Sequence, residues 1–162
     1  MLYTIGYSTR TLPEFLRELE RRQITQLWDV RSSPWSRNQP FNANQIERWA
    51  ERAGILYRQE GKVLGGRTAI PLDHPDYLAA LDRILDAACR EPVALMCSEG
   101  RPEDCHRTTD IAASLLARLG IIARSICRDG SDEDVTDTLQ RVPAGRIDAV
   151  IRDLLERQPS LF

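Results

Sequence analysis

Apolar residues fall into short runs that alternate with stretches of helical spacing. Leu2–Ile5, Gln26–Val30, Ile55–Arg58, Val93–Cys97 and Ile121–Ile126 have the length and composition of strands. After the first, Thr11 with Glu14 three residues on makes a capping box and Pro13 sits in the first turn. Leu12, Phe15, Leu16 and Leu19 then follow at helical spacing. Ile46, Trp49, Ala50 and Ala53 repeat that spacing, and Gly54 closes the helix. His74-Pro75-Asp76 opens a third helix with Leu78, Leu81, Ile84, Leu85 and Ala88 inward. A fourth carries Ile111, Ala112, Leu115, Leu116 and Leu119 and stops at Gly120. Strands alternating with helices predict an α/β fold, a mostly parallel open sheet of about five strands with helices on both faces, in a single domain. Residues 1–128 make the expected core, and residues 129–162 an acidic connector (Asp129 to Asp134) and a terminal helix packed on it. Ile147, Val150, Ile151, Leu154 and Leu155 face inward on that helix. Gln59 to Asp73 has no periodicity, and a loop of that length in a compact domain is usually functional or mobile.

A net charge of −2 over 162 residues argues against holding nucleic acid by general electrostatics and leaves room for a local basic cleft. Lys62 is the lone lysine among 22 basic residues. Arginine suits bidentate phosphate or carboxylate contacts, but a bias spread along the whole chain singles out no position. The start Met1-Leu2-Tyr3-Thr4-Ile5 lacks the features of a signal segment, and no apolar stretch approaches the ~20 residues needed to span a membrane. A soluble, cytoplasmic protein with no membrane partner is expected. Cys89, Cys97, Cys105 and Cys127 are too few and scattered for a disulfide scaffold.

Ligands of open α/β sheets bind outside the carboxyl ends of the strands. Three loops there are unusually polar: Gly6 to Arg10, Asp29 to Arg37, and Cys97 to Arg107; the loop with Gly65, Gly66 and Arg67 follows strand three. Asp104 is expected to cap a helix whose first turn carries Cys105, His106 and Arg107, where free N–H groups and the dipole meet an anion. Cys97 reads as a nucleophile, its thiolate favoured by Arg101, Arg107 or a helix N-terminus, or as a small buried hydrophobe at a strand end. Glu99 and His106 divide base and acid roles, Glu99 with a pKa raised by partial burial; otherwise His106 caps or packs at a helix start. His74, beside Pro75, reads as structural. Asp29 reads as an orienting carboxylate or base, and Arg31, Arg37, Arg101 and Arg107 as anion clamps; the alternative is an ion-pair network holding the loops. Asp29 and Arg31 share a side only if the strand has ended. Tyr7, Ser8, Ser36, Gly65 and Gly66 complete the substrate-binding set, and Trp35 is placed to cover a planar ligand. A cysteine-phosphatase loop is excluded, because the position six residues after Cys97 is Glu103 and not arginine. A rhodanese-like anion loop is not indicated either. Cys97, Cys105 and His106 are zinc-ligand types, yet no C-x₂₋₄-C pair or fourth ligand accompanies them, so neither metal nor cofactor is expected.

Four ordered blocks resemble the bacterial domain of unknown function 488 family: Thr4-Ile5-Gly6-Tyr7-Ser8, Asp29-Val30-Arg31-Ser32-Ser33-Pro34-Trp35-Ser36-Arg37, Leu64-Gly65-Gly66, and Met96-Cys97-Ser98-Glu99 with Cys105-His106-Arg107. The resemblance runs from the first strand to about Ile126. It implies a small α/β domain with a polar site, and attaches no settled activity; some members carry a DNA-repair label. Tyr7 stands where members often have histidine, and so does Ser125. A metal or proton relay built on those histidines would be lost here or run differently. The leading expectation is an enzyme, a hydrolase or group transferase, acting on a small anionic, phosphorylated or nucleotide-like molecule at the sheet edge. The alternatives are a nucleic-acid-associated binding module without catalysis, linked to DNA repair, and a redox or metal sensor acting through the cysteines.

Overall fold

Six strands form one sheet: β1 (Leu2–Gly6), β2 (Gln26–Asp29), β3 (Leu56–Gln59), β4 (Val93–Cys97), β5 (Arg124–Ile126) and β6 (Asp132–Asp134), in the order β3-β2-β4-β1-β5-β6. All neighbours pair in parallel except β5 and β6, which are antiparallel. The computed structural model describes residues 1–8 and 10–158; Thr9 of the first polar loop and the last four residues of the terminal segment lie outside the described residues.

Period-two alternation divides the apolar side chains between two cores, one on each face of the sheet. Leu2, Trp28, Val93, Leu95 and Cys97 face one; Tyr3, Ile5, Leu27, Ala94 and Met96 face the other. Helices α1 (Leu12–Arg21) and α2 (Ala43–Arg52) cover the second face through Phe15, Leu19, Ile46 and Trp49. The first face is covered by α3 (Gly61–Leu64), α4 (Pro75–Arg90), α5 (Ala113–Leu119), α6 (Val135–Gln140) and α7 (Ala149–Glu156). Each fully buried Leu, Ile or Phe contributes about 1.5–3 kcal/mol, so both faces are needed to hold the central strands. The capping box of α1 forms as its sequence predicts: the Glu14 amide donates to Thr11 Oγ1, and the Thr11 amide donates to Glu14 Oε2 at 2.7 Å.

Besides two short helices the sequence did not announce, α3 and α6, the structure departs from the sequence pattern in four places. β5 is three residues long instead of six, pairing with β1 only along Tyr3–Ile5, and Ile122 is exposed. The acidic connector supplies a sixth strand, held by Arg124–Asp134 and Arg22–Asp132 ion pairs and not by an apolar face, so it left no hydrophobic period to read. Ala53 and Val150, expected inward, are exposed in the end turns of α2 and α7. Finally, no α-helix begins at Cys105. Pro102–Asp104 makes a 3-10 turn, Cys105 is extended, and a π-helical stretch, Arg107–Ala112, precedes α5. Asp104 pairs with Arg146 at 2.6 Å instead of capping, and the Thr108 and Thr109 amides donate to the Cys105 carbonyl. The residues expected to form the first turn of an α-helix at an anion site thus have a different backbone geometry. Among the described residues, no helix is long and apolar enough to cross a membrane.

Candidate functional site

The crossover leaving β2 runs outward to β3, whereas the one leaving β4 runs the opposite way to β5. A crevice opens at such a reversal, outside the carboxyl ends of the two strands. Register aligns those ends: Asp29 lies opposite Met96 and Gly6 opposite Cys97. The loop after β4 lies directly on β1, because a Cβ at Gly6 would fall 1.7 Å from the Glu99 carbonyl oxygen. Tyr7 and Ser8 amides then donate to the Cys97 and Ser98 carbonyls. The result is a cleft of about 690 Å³, walled by Tyr7, Trp35, Arg37, Gly66 and Arg67 with Cys97, Glu99, Cys105 and His106 against it.

On the β2 side of the crevice, Asp29 and Arg31 form a sealed pair. The strand ends at Asp29, which lets Arg31 fold back so that both side chains share one side. Arg31 Nε and one terminal nitrogen donate to the two Asp29 oxygens at 2.8 and 2.5 Å. The remaining N–H groups go to the Tyr7 hydroxyl and to the Phe41 and Pro34 carbonyls, so all five donors are engaged. Tyr57 donates its hydroxyl to Asp29 at 2.6 Å, and Asp29 is 1% exposed. Burial opposes the Arg31 charge, but the bonds and charge of Asp29 outweigh it and raise its pKa further; burial and the Asp29 charge push the Tyr57 hydroxyl up. Tyr7 stacks on Phe41 at 4.3 Å and donates to Ser36 Oγ, which also accepts the Asn38 amide. These groups hold one another, and Arg31 has no N–H left for an anion.

The β4 side is different. Cys97 Sγ and Cys105 Sγ lie 3.8 and 3.7 Å from His106 Nδ1, and Glu99 Oε2 is 3.4 Å from the Cys97 sulfur and 4.0 Å from that of Cys105. His106 Nε2 donates to the Val30 carbonyl at 2.9 Å, since a carbonyl only accepts, and this leaves the Nδ1 lone pair toward the sulfurs. Arg107, 1% exposed, donates to the Glu99 carbonyl at 2.7 Å and to Thr4 Oγ1, with no carboxylate partner among the described residues. A hydrogen bond from Cys97, opposed by burial and aided by the Arg107 charge, lowers the Cys105 thiol to about 7. That same hydrogen bond, with burial, pushes Cys97 well up. Burial opposes protonation of His106, yet the bond and charge of Cys97 raise its pKa. For Glu99, burial is outweighed by hydrogen bonds from Ser98, its own amide and Cys97, so its carboxyl is held below the usual range, opposite to the raised value expected from burial alone.

Gly66 packs on the imidazole: a Cβ there would meet His106 ring atoms at 2.7–2.9 Å. Gly65 is buried against Ser32, outside the cleft wall. Of the four expected clamps, only Arg37 has an exposed side chain on the cleft; Arg101 points away and pairs with Glu103 at 2.7 Å, and Arg107 lies behind the Glu99 backbone. Ser8 is exposed and contributes its backbone amide to the loop contact. Sequence reasoning named Arg67 in a loop after strand three and Cys105 among zinc-ligand types, but placed neither in the catalytic or substrate-binding set. Arg67 had a signal, a charged residue directly after a glycine pair in an aperiodic loop; neither it nor Arg37 makes an ion pair among the described residues. Cys105 had only its place beside His106. Trp35, at 67% exposure, stands on the wall where a planar ligand would lie.

Compared with known proteins, residues 11–109, more than half of the chain, match the family model described as domain of unknown function DUF488. No curated protein matches the chain.

Proposed function

The chain belongs to the DUF488 family, which carries no assigned activity, and on that premise we propose that the cleft binds a small anionic, phosphorylated or nucleotide-like molecule and hydrolyses it or transfers a group from it. One observation carries this reading: two arginines without ion-pair partners among the described residues, Arg37 and Arg67, share a cleft with a thiol–imidazole–carboxylate cluster. The volume suits a mononucleotide-sized ligand and is small for a nucleic-acid groove. Arg37 and Arg67 hold the anion, Trp35 covers a planar portion, and Glu99, ionised at neutral pH, accepts the proton given up in the reaction. Cys105 supplies the more acidic thiol, and His106 Nδ1 lies within 3.8 Å of both sulfurs. Asp29 and Arg31 hold the wall.

A panel of phosphate esters and mononucleotides, assayed by calorimetry and product analysis, tests the reading. At least one should bind and turn over. Arg37→Ala and Arg67→Ala should each weaken binding at least about tenfold. Glu99→Gln should cut turnover by about 10²–10⁴ with the fold intact. Binding restricted to oligonucleotides, falling steeply with salt and without turnover, would replace this reading with a nucleic-acid-binding module.

A further inference from the structure

Eight positions separate Cys97 from Cys105, yet their Sγ atoms and His106 Nδ1 all lie within 4.8 Å of one another. In a tetrahedral zinc site, with Zn–S about 2.3 Å and Zn–N about 2.0–2.1 Å, sulfur and nitrogen stand roughly 3.5–3.6 Å apart. The two Nδ1–Sγ distances, 3.8 and 3.7 Å, are already close to that spacing. We propose that Cys97, Cys105 and His106 hold a zinc ion through Sγ, Sγ and Nδ1, with its fourth position open to the cleft.

The surroundings of the triad fit this assignment. Metal-ligating histidines characteristically give their other ring N–H to a carbonyl or carboxylate, and His106 Nε2 does so to Val30 while Gly66 packs on the ring. Two thiolates and an imidazole favour zinc, whereas magnesium and calcium require oxygen ligands. Two thiolates neutralise the ion, and the flanking charges of Arg107 and Glu99 balance each other. Three protein ligands with one open position is the pattern of catalytic zinc; structural sites close with a fourth protein ligand. Glu99 Oε2, beside both sulfurs, is placed to accept the proton of a water bound at that position. The absence of a C-x₂₋₄-C pair is explained by the turn at Pro102–Asp104, which returns the chain to the end of β4. This inference rests on the triad alone, and stands or falls separately from turnover of an anionic substrate.

Cobalt titration of the chelator-treated protein is the test. One equivalent of Co²⁺ should bind, giving the visible bands of a tetrahedral site and sulfur-to-cobalt charge transfer, and Zn²⁺ should displace it. Alkylation mapped by mass spectrometry should show Zn²⁺ protecting Cys97 and Cys105 but neither Cys89 nor Cys127. Cys105→Ser and His106→Ala should each weaken Co²⁺ binding at least about 100-fold. No binding, a spectrum without sulfur bands, or protection confined to Cys89 or Cys127 would overturn the proposal. If either variant fails to fold, the wild-type spectrum and protection map still decide.

Discussion

Asp29 with Arg31, and Cys97 with Cys105 and His106, face each other across one crevice at the ends of adjacent strands. In the first group every polar hydrogen of the guanidinium is committed, and Tyr57 occupies the carboxylate as well. In the second, two sulfurs and an imidazole nitrogen crowd together with only weak mutual hydrogen bonds, beside an exposed carboxylate. Residue type does not separate the two, since both are reactive or charged residues just past a β-strand. What separates them is capacity left unspent: one group is closed upon itself, and the other has donor atoms that a ligand would satisfy.

The sharpest way to break this comparison is to remove one partner from each side. Asp29→Ala leaves Arg31 buried without its counter-charge and should cost about 3–5 kcal/mol in urea unfolding. Glu99→Gln should leave the unfolding midpoint nearly unchanged while removing the response to ligand; equal stability losses would erase the distinction. Next in size is Gly66→Ala. The new methyl must displace the His106 ring, so we expect at least a tenfold loss of ligand or metal response, with about 1–3 kcal/mol of destabilisation in the same unfolding assay. A smaller effect separates the two thiols of the metal-free protein. Thiolate is the nucleophile, so the alkylation rate of Cys105 should rise with pH through its pKa of about 7, while Cys97 stays unreactive to much higher pH. Rate profiles from peptide mapping check this, and coincident profiles would refute it. Arg101→Ala should have the smallest effect, no measurable change in melting temperature or ligand affinity, since its ion pair with Glu103 is exposed and outside the cleft.

Local signals were the most legible part of the sequence. The Thr11–Glu14 capping box fixed the start of α1, and strands buried on both faces announced themselves as apolar runs. β6 was invisible because ion pairs hold it, and the helix expected at Cys105 failed because Pro102–Asp104 turns the chain before regular helix resumes. At the site, the three polar loops and the Gly65–Gly66 loop were readable as candidates, but not the division of labour among them. Besides the local Pro34 carbonyl, Arg31 gains partners from Tyr7 and Phe41, neither fixed by local spacing, so its complete engagement exists only in three dimensions. Cys105 meets Cys97 for the same reason, and a spacing rule built for short metal loops does not anticipate it.

A crystal soaked with inorganic phosphate tests the account most directly. The anion should lie between Arg37 and Arg67, over Cys105 and His106, with the Asp29–Arg31 pair intact. Phosphate held by Arg31 in place of Asp29, or seated on Arg101 or Arg146 with the cleft empty, would contradict it.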